Sequence, residues 1–206
     1  MKGTEKRMTI LQIFPEIVYQ ENIPISSYDI SNIDFNDAGF SHNDILNMNQ
    51  FKKIKELIQG HVEKYTQEIL EISKDLSFYI TRSWIIKLEK AVNNQNFHNH
   101  SNSFFTGVLY LDIEEGQDSI VFQKKKDYHY VKYDFEKANV YNQEIINYLP
   151  KKNDLIIFDA KLLHQVGPHL STKKRICLAF EVFAKGIFGK KNVSQMFNKG
   201  ELELND

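Results

Sequence analysis

Residues 98–111 read His98-Asn-His100-Ser-Asn-Ser-Phe104-Phe-Thr106-Gly-Val-Leu-Tyr110-Leu111, and this stretch decides the fold. Two histidines flank one residue, and an apolar, β-branched and aromatic run follows with the period-two pattern of a strand. If the chain is extended at 98–100, both imidazoles point to one face, where they can bind one metal ion. An isolated His-x-His in a polar loop more often has no such role, so a third ligand has to be sought elsewhere.

Residues 154–166 supply one: Asp154-Leu-Ile-Ile-Phe-Asp-Ala-Lys-Leu-Leu-His164-Gln-Val. An apolar strand that ends on a histidine is how a distant part of a sheet would deliver a third imidazole. Eleven residues on comes Arg175-Ile-Cys177-Leu-Ala179-Phe. Period two puts Arg175, Cys177 and Ala179 on one face, whose small side chains leave room for a ligand. Only three of the 26 basic residues are arginine, namely Arg7, Arg82 and Arg175. Where lysine is the default cation, an arginine at this place favours bidentate anion binding over the commoner role of a surface charge. Tyr110 shares strand parity with Thr106 and Val108 and would offer a phenolic donor to the same face, although strand tyrosines usually serve the core.

Outward from these segments the chain has the outline of one domain. Its 206 residues fit a single core, and 42% hydrophobic with 26% charged residues is a globular composition. The 26 basic residues balance 27 acidic ones, so there is no electrostatic footprint for nucleic acid. The single cysteine, Cys177, excludes an internal disulfide and a cysteine-based zinc cage. No apolar run approaches membrane length and no signal peptide is evident, so a reducing, cytoplasmic setting is the expectation. Oligomeric state is not readable.

A first strand is expected at 9–14, stopped by Pro15, then an irregular connection over 21–49. A helix is expected at about 49–73, because Phe51, Ile54, Ile58, Val62, Tyr65, Ile69 and Ile72 recur at intervals of three and four. From Leu76 the period becomes two, with Phe78, Ile80, Trp84, Ile86 and Leu88 assigned to one face; Arg82 would sit among them, an unusual place for a charge. Further strands are expected at 104–113, 119–123, 128–133, 154–158 and 175–183. The expectation is an all-β core with N-terminal helix packing, one domain over residues 1–184 with core strands at about 76–183, and a polar tail at 185–206.

In this order, Ile13-Phe-Pro15, Tyr79-Ile-Thr-Arg-Ser-Trp84, the His98–Leu111 stretch and the run from Asn153 through His164 to Phe180 resemble the iron(II)- and 2-oxoglutarate-dependent oxygenases. The resemblance is to the small bacterial and phage branch and covers roughly residues 10–182. It implies a double-stranded β-helix, or jelly roll, with Fe(II) held by His98, His100 and His164. It further implies 2-oxoglutarate as cosubstrate, with Arg175 pairing its far carboxylate and Tyr110 assisting, and O2 and an unidentified substrate as the other reactants. The chain departs from the usual His-x-Asp/Glu pattern, because the third position of the motif holds His100. Starting the motif at His100 would make Asn102 a ligand, a weaker donor. Glu181 stands where the branch tends to have asparagine and shares the parity of Arg175, as a salt-bridge partner or a pocket acid. Two other readings stay open: a cupin-type oxygenase or isomerase without 2-oxoglutarate, and a non-catalytic β-sandwich that binds a partner. The cupin glutamate after His-x-His is missing, since residues 101–106 read Ser-Asn-Ser-Phe-Phe-Thr.

Overall fold

The computed structural model describes residues 10, 12–89, 96–125, 134–168, 173–186 and 188. A five-stranded antiparallel sheet in the order β1-β6-β3-β8-β2 faces a three-stranded sheet in the order β5-β4-β7. The strands are β1 Val18–Asn22, β2 Leu76–Leu88, β3 Phe105–Asp112, β4 Ile120–Gln123, β5 Ile145–Tyr148, β6 Asp154–Asp159, β7 Leu163–Val166 and β8 Arg175–Gly186. Two facing antiparallel sheets with a helix on the outer side of the larger one form the jelly-roll architecture expected from the strand pattern. No helix among the described residues is long and apolar enough to cross a membrane.

The large sheet is buried on both faces. Helix α1, Lys52–Glu63, lays Ile54, Ile58 and Val62 on its outer face, against Leu109, Leu155, Ile157, Leu178 and Phe180. The inner face carries Tyr110, Ile156, Phe158 and Cys177 toward Ile120 and Phe122 of the small sheet. Strand β8 lies between β2 and β3, with eight consecutive buried residues from Arg175 to Val182. Gly107 is required by this packing. A Cβ there would stand 2.2 Å from Phe180 Cζ and 2.7 Å from the Ile156 carbonyl oxygen, so only glycine admits the ring to the sheet surface.

Several expectations are corrected. Residues 10 and 12–14 are not a strand; the first strand follows Pro15, at Val18–Asn22, where it pairs with β6. The helical run extends from 49 to 69, not 73: a 3₁₀ turn leads into α1, a π-helical turn Lys64–Ile69 follows, and Glu71 adopts a left-handed φ of 49°. The wider π turn rotates Ile69 out of the apolar stripe, leaving it 44% exposed. The polar connection over 21–49 is better ordered than its composition suggests. Ile23, Ile33, Ile45 and Leu46 are buried, and Phe40 bridges to Ile86 of β2.

Strand β2 does not keep one face. Its register against β8 shifts between Ile80 and Arg82, a bulge at Thr81. Phe78 and Ile80 face the helix side, but beyond the bulge Ser83 and Ile85 are the buried pair of that side. Trp84, Ile86 and Leu88 turn to the opposite side. Arg82 therefore leaves the helix-side core, with its side chain 52% exposed. Strand β8 continues through Gly186, two residues into the expected tail. The expected strand 128–133 and residues 189–206 lie outside the described residues.

Replacing Gly107 by alanine is expected to lower stability by about 1–3 kcal/mol, the usual cost of overpacking a filled core. The measurement is the urea midpoint of the purified chain; an unchanged midpoint would mean that Phe180 can move aside freely.

Candidate functional site

The three histidines meet at one end of a cavity between the sheets, and backbone pairing brings them there. After β6 the chain turns tightly: Lys161 N–H donates to Asp159 Oδ1 at 2.9 Å and Leu162 N–H to the Asp159 carbonyl at 3.0 Å. The turn delivers β7, in which His164 is 5% exposed. His98 and His164 exchange both backbone hydrogen bonds, at 2.9 and 3.0 Å. Directly opposed residues in an antiparallel pair carry side chains on the same face, and the two rings lie 4.5 Å apart between centroids. His100 N–H donates to the Ala160 carbonyl at 2.9 Å, which ties the second histidine to the same turn.

The potential ligand nitrogens of His98, His100 and His164 all lie within 4.8 Å of one another, an arrangement that can hold a metal ion. Tautomers follow from the partners. Nδ1 of His98 contacts the Asn96 carbonyl at 2.9 Å, Nδ1 of His164 the Leu162 carbonyl at 2.9 Å, and Nδ1 of His100 the Glu181 carboxylate at 2.8 Å. All three partners are acceptors, so each Nδ1 carries a proton, which leaves Nε2 as the atom through which each ring can bind a metal. Nε2 of His100 and Nε2 of His164 stand 3.3 Å apart. Two nitrogens this close share either a proton or a metal ion. Burial also pushes the His164 pKa down to about 4, with the neighbouring histidines contributing in the same direction. Its lone pair is therefore available throughout the neutral range. The donor set fits a divalent transition metal.

The same cavity encloses about 100 Å³ and is mostly apolar, with Phe40, Trp84, Ile86 and Val108 among its walls. Arg175, Cys177 and Ala179 line it from β8, as their parity predicted, and Tyr110 and Thr106 line it from β3. Arg175 is 2% exposed and Tyr110 fully buried. The guanidinium carbon lies 5.8 Å from the phenol ring centre. The Tyr110 hydroxyl and Arg175 Nη1 are both buried without a hydrogen-bond partner. Unmet buried donors are costly, and a cationic and a phenolic donor left open in one cavity call for an anionic acceptor. Burial raises the Tyr110 pKa, so the hydroxyl keeps its proton for donation. The set fits a carboxylate.

Two acidic residues complete the site. Asp118, wholly buried, places Oδ1 3.7 Å from Arg175 Nη1. Nothing in the sequence singles it out, because an aspartate in a polar turn gives no sign of burial. Glu181, read as a salt-bridge partner or pocket acid, accepts from His100 and also faces Arg82 Nη1 at 3.4 Å. Arg82 spreads over Trp84, 5.5 Å from its ring centre, and Nη2 donates to Asn43 Oδ1 at 3.3 Å. Of the other histidines, His61 contacts the Tyr19 hydroxyl at 2.7 Å, on the helix side and away from the cavity.

Residues 82–181 match the family model described as "Putative 2OG-Fe(II) oxygenase". No curated protein matches the sequence. Solved structures match by fold at low identity. An oxidoreductase of the 2OG-Fe(II) oxygenase family from Burkholderia pseudomallei is 12% identical with a TM-score of 0.49; the match covers 80% of this chain and 65% of that one, just under two thirds of its length. The non-heme alpha ketoglutarate dependent epimerase SnoN from nogalamycin biosynthesis is 11% identical with a TM-score of 0.50, over 79% of this chain and 70% of that one. SnoN is also known in complex with Fe3+, alpha ketoglutarate and nogalamycin RO; that structure is 11% identical with a TM-score of 0.50, over 75% and 69%. The fold is shared with SnoN, and the segment matched by the family model holds His98, His100, Tyr110, His164 and Arg175 of the cavity. This segment, just under half of the chain, is similar to the iron(II)- and 2-oxoglutarate-dependent oxygenases.

Proposed function

We propose that His98, His100 and His164 hold Fe(II), that Arg175 and Tyr110 receive the far carboxylate of 2-oxoglutarate, and that the protein hydroxylates a substrate not yet identified. One observation carries this reading. One cavity is lined both by the three histidines and by two buried donors without a hydrogen bond, the Tyr110 hydroxyl and Arg175 Nη1. An anion that reaches from a metal to a fixed guanidinium is what such a cavity accommodates. The missing cupin glutamate and the Arg175–Tyr110 pair favour this over a cupin without 2-oxoglutarate.

The chemistry supplied by bound iron and 2-oxoglutarate is oxidative, coupling decarboxylation to succinate and CO2 with insertion of oxygen into a substrate C–H bond. The chain's own groups bind and orient. Arg175 offers a planar fork that matches a carboxylate, and Asp118, 3.7 Å from its Nη1, holds the guanidinium in place. Tyr110 donates a second hydrogen bond from the neighbouring strand. The apolar walls exclude water, which strengthens both contacts. Trp84 and Phe40 stand on the wall, where a substrate would meet the site.

Replacing His98, His100 or His164 singly by alanine is expected to weaken anaerobic Fe(II) binding markedly, because each removes one ligand. His42→Ala, at an exposed residue outside the cavity, is expected to leave it unchanged. If His42→Ala weakens binding as much as the other three, the ligand assignment is wrong.

Arg175→Lys keeps the charge and loses the fork. Loss of one charged hydrogen bond costs about 1.5–3 kcal/mol, so 2-oxoglutarate affinity should fall roughly ten- to a hundredfold while Fe(II) affinity is spared. Calorimetric titration of the iron-loaded protein measures this directly; equal affinity in the two proteins would remove Arg175 from the cosubstrate site. With iron present, 2-oxoglutarate should also raise the melting temperature of the parent.

A further inference from the structure

We infer that Glu181 supplies, through the ring of His100, the negative charge that the metal ligands themselves lack. This rests on the metal reading above. Three neutral imidazoles bring no charge to a divalent ion, whereas the familiar facial triad brings one carboxylate directly. Position 100, where that carboxylate is expected, holds a histidine. The carboxylate that meets the site is displaced one residue outward: Glu181 Oε1 lies 2.8 Å from His100 Nδ1.

The three rings are not equivalent. His98 and His164 donate their Nδ1 protons to neutral backbone carbonyls. Among the three, His100 has the anionic acceptor, and both side chains are well shielded, at 13% and 6% exposed. A carboxylate behind an imidazole fixes its tautomer, orients the ring and makes Nε2 a stronger donor. Arg82 does not cancel this charge. Its contact to the other carboxylate oxygen is longer, 3.4 Å, and its side chain is half exposed to screening solvent. Arg82 instead holds Glu181 in place from the solvent side, braced on Trp84 and Asn43. Glu181 is thus a positioning residue, with the His100 ring between it and the metal.

The test uses Co(II) as a spectroscopic probe of the full chain, with 2-oxoglutarate left out. Glu181→Gln keeps the shape and removes the charge, and is expected to weaken Co(II) binding ten- to a hundredfold. In a His100→Ala background the same change should add little, because the ring that transmits its effect is gone. Long-range proton–nitrogen NMR of the metal-free protein is the second measurement: the parent should hold His100 as the Nδ1–H tautomer, and Glu181→Gln should populate both tautomers. The inference falls if Glu181→Gln binds Co(II) like the parent, or if its cost is as large without the His100 ring. Should Glu181→Gln fail to fold, Glu181→Asp, which draws the charge back by one methylene, is expected to bind Co(II) more weakly than the parent; parental affinity would overturn the inference. If the parent itself binds no Co(II), the metal reading fails and takes this inference with it. If the parent binds and His98→Ala does not, the metal reading stands whatever Glu181 shows.

Discussion

His98 and His164, 66 residues apart, exchange a pair of backbone hydrogen bonds, and the site depends on that exchange. Neither histidine lies in a segment that would hold an imidazole in place on its own. His98 follows a polar stretch, and β7 is only four residues long. Paired, they put two rings on one face at a spacing set by the backbone and not by side-chain flexibility. The Asp159–Leu162 turn feeds one partner of the pair, and the His100-to-Ala160 bond extends the pairing by two residues. The histidine cluster is thus an extension of sheet geometry, with the precision that sheet hydrogen bonding confers.

The rest of the cavity is organised from β8. Its inner face presents Arg175, Cys177, Ala179 and Glu181 at alternate positions, so one strand carries the buried cation of the cavity, two small wall residues and the acid behind His100. Neighbours on both sides and packing on both faces make it a rigid ruler. Its outer face, through Leu178, Phe180 and Val182, lies in the main core. The stability of the fold and the alignment of the site therefore share one element.

How much of this was legible follows from the same physics. β3, β6 and β8 announce themselves because doubly buried strands must be apolar and β-branched throughout. The edge strands β1 and β5, Val-Tyr-Gln-Glu-Asn and Ile-Ile-Asn-Tyr, have no such constraint; β5 was missed and β1 was placed too early, before Pro15. His98, His100, His164, Arg175 and Tyr110 could be picked out because strand parity and spacing are local properties. That parity also put Glu181 on the cavity face. Its partner could not be read, since His100 lies 81 residues away and the contact depends on how two strands align. Asp118 was hidden for a similar reason: nothing within its own turn indicates the guanidinium that it meets.

The extra residue at Thr81 gives the two halves of β2 opposite facing. On the helix side of the bulge the strand serves the core, and beyond it Arg82, Trp84 and Ile86 serve the cavity. Loss of Thr81 would leave one regular ladder in which Ile80 still lies opposite Val182 and Arg82 still opposite Glu181, so neither half would change its facing. The extra residue is therefore a place where the strand tolerates a change of length by one without turning Trp84, Ile86 or the arginine that braces Glu181 away from the cavity. A codon lost elsewhere in the strand has no such slack, and would throw the residues beyond it onto the wrong face or out of step with β8.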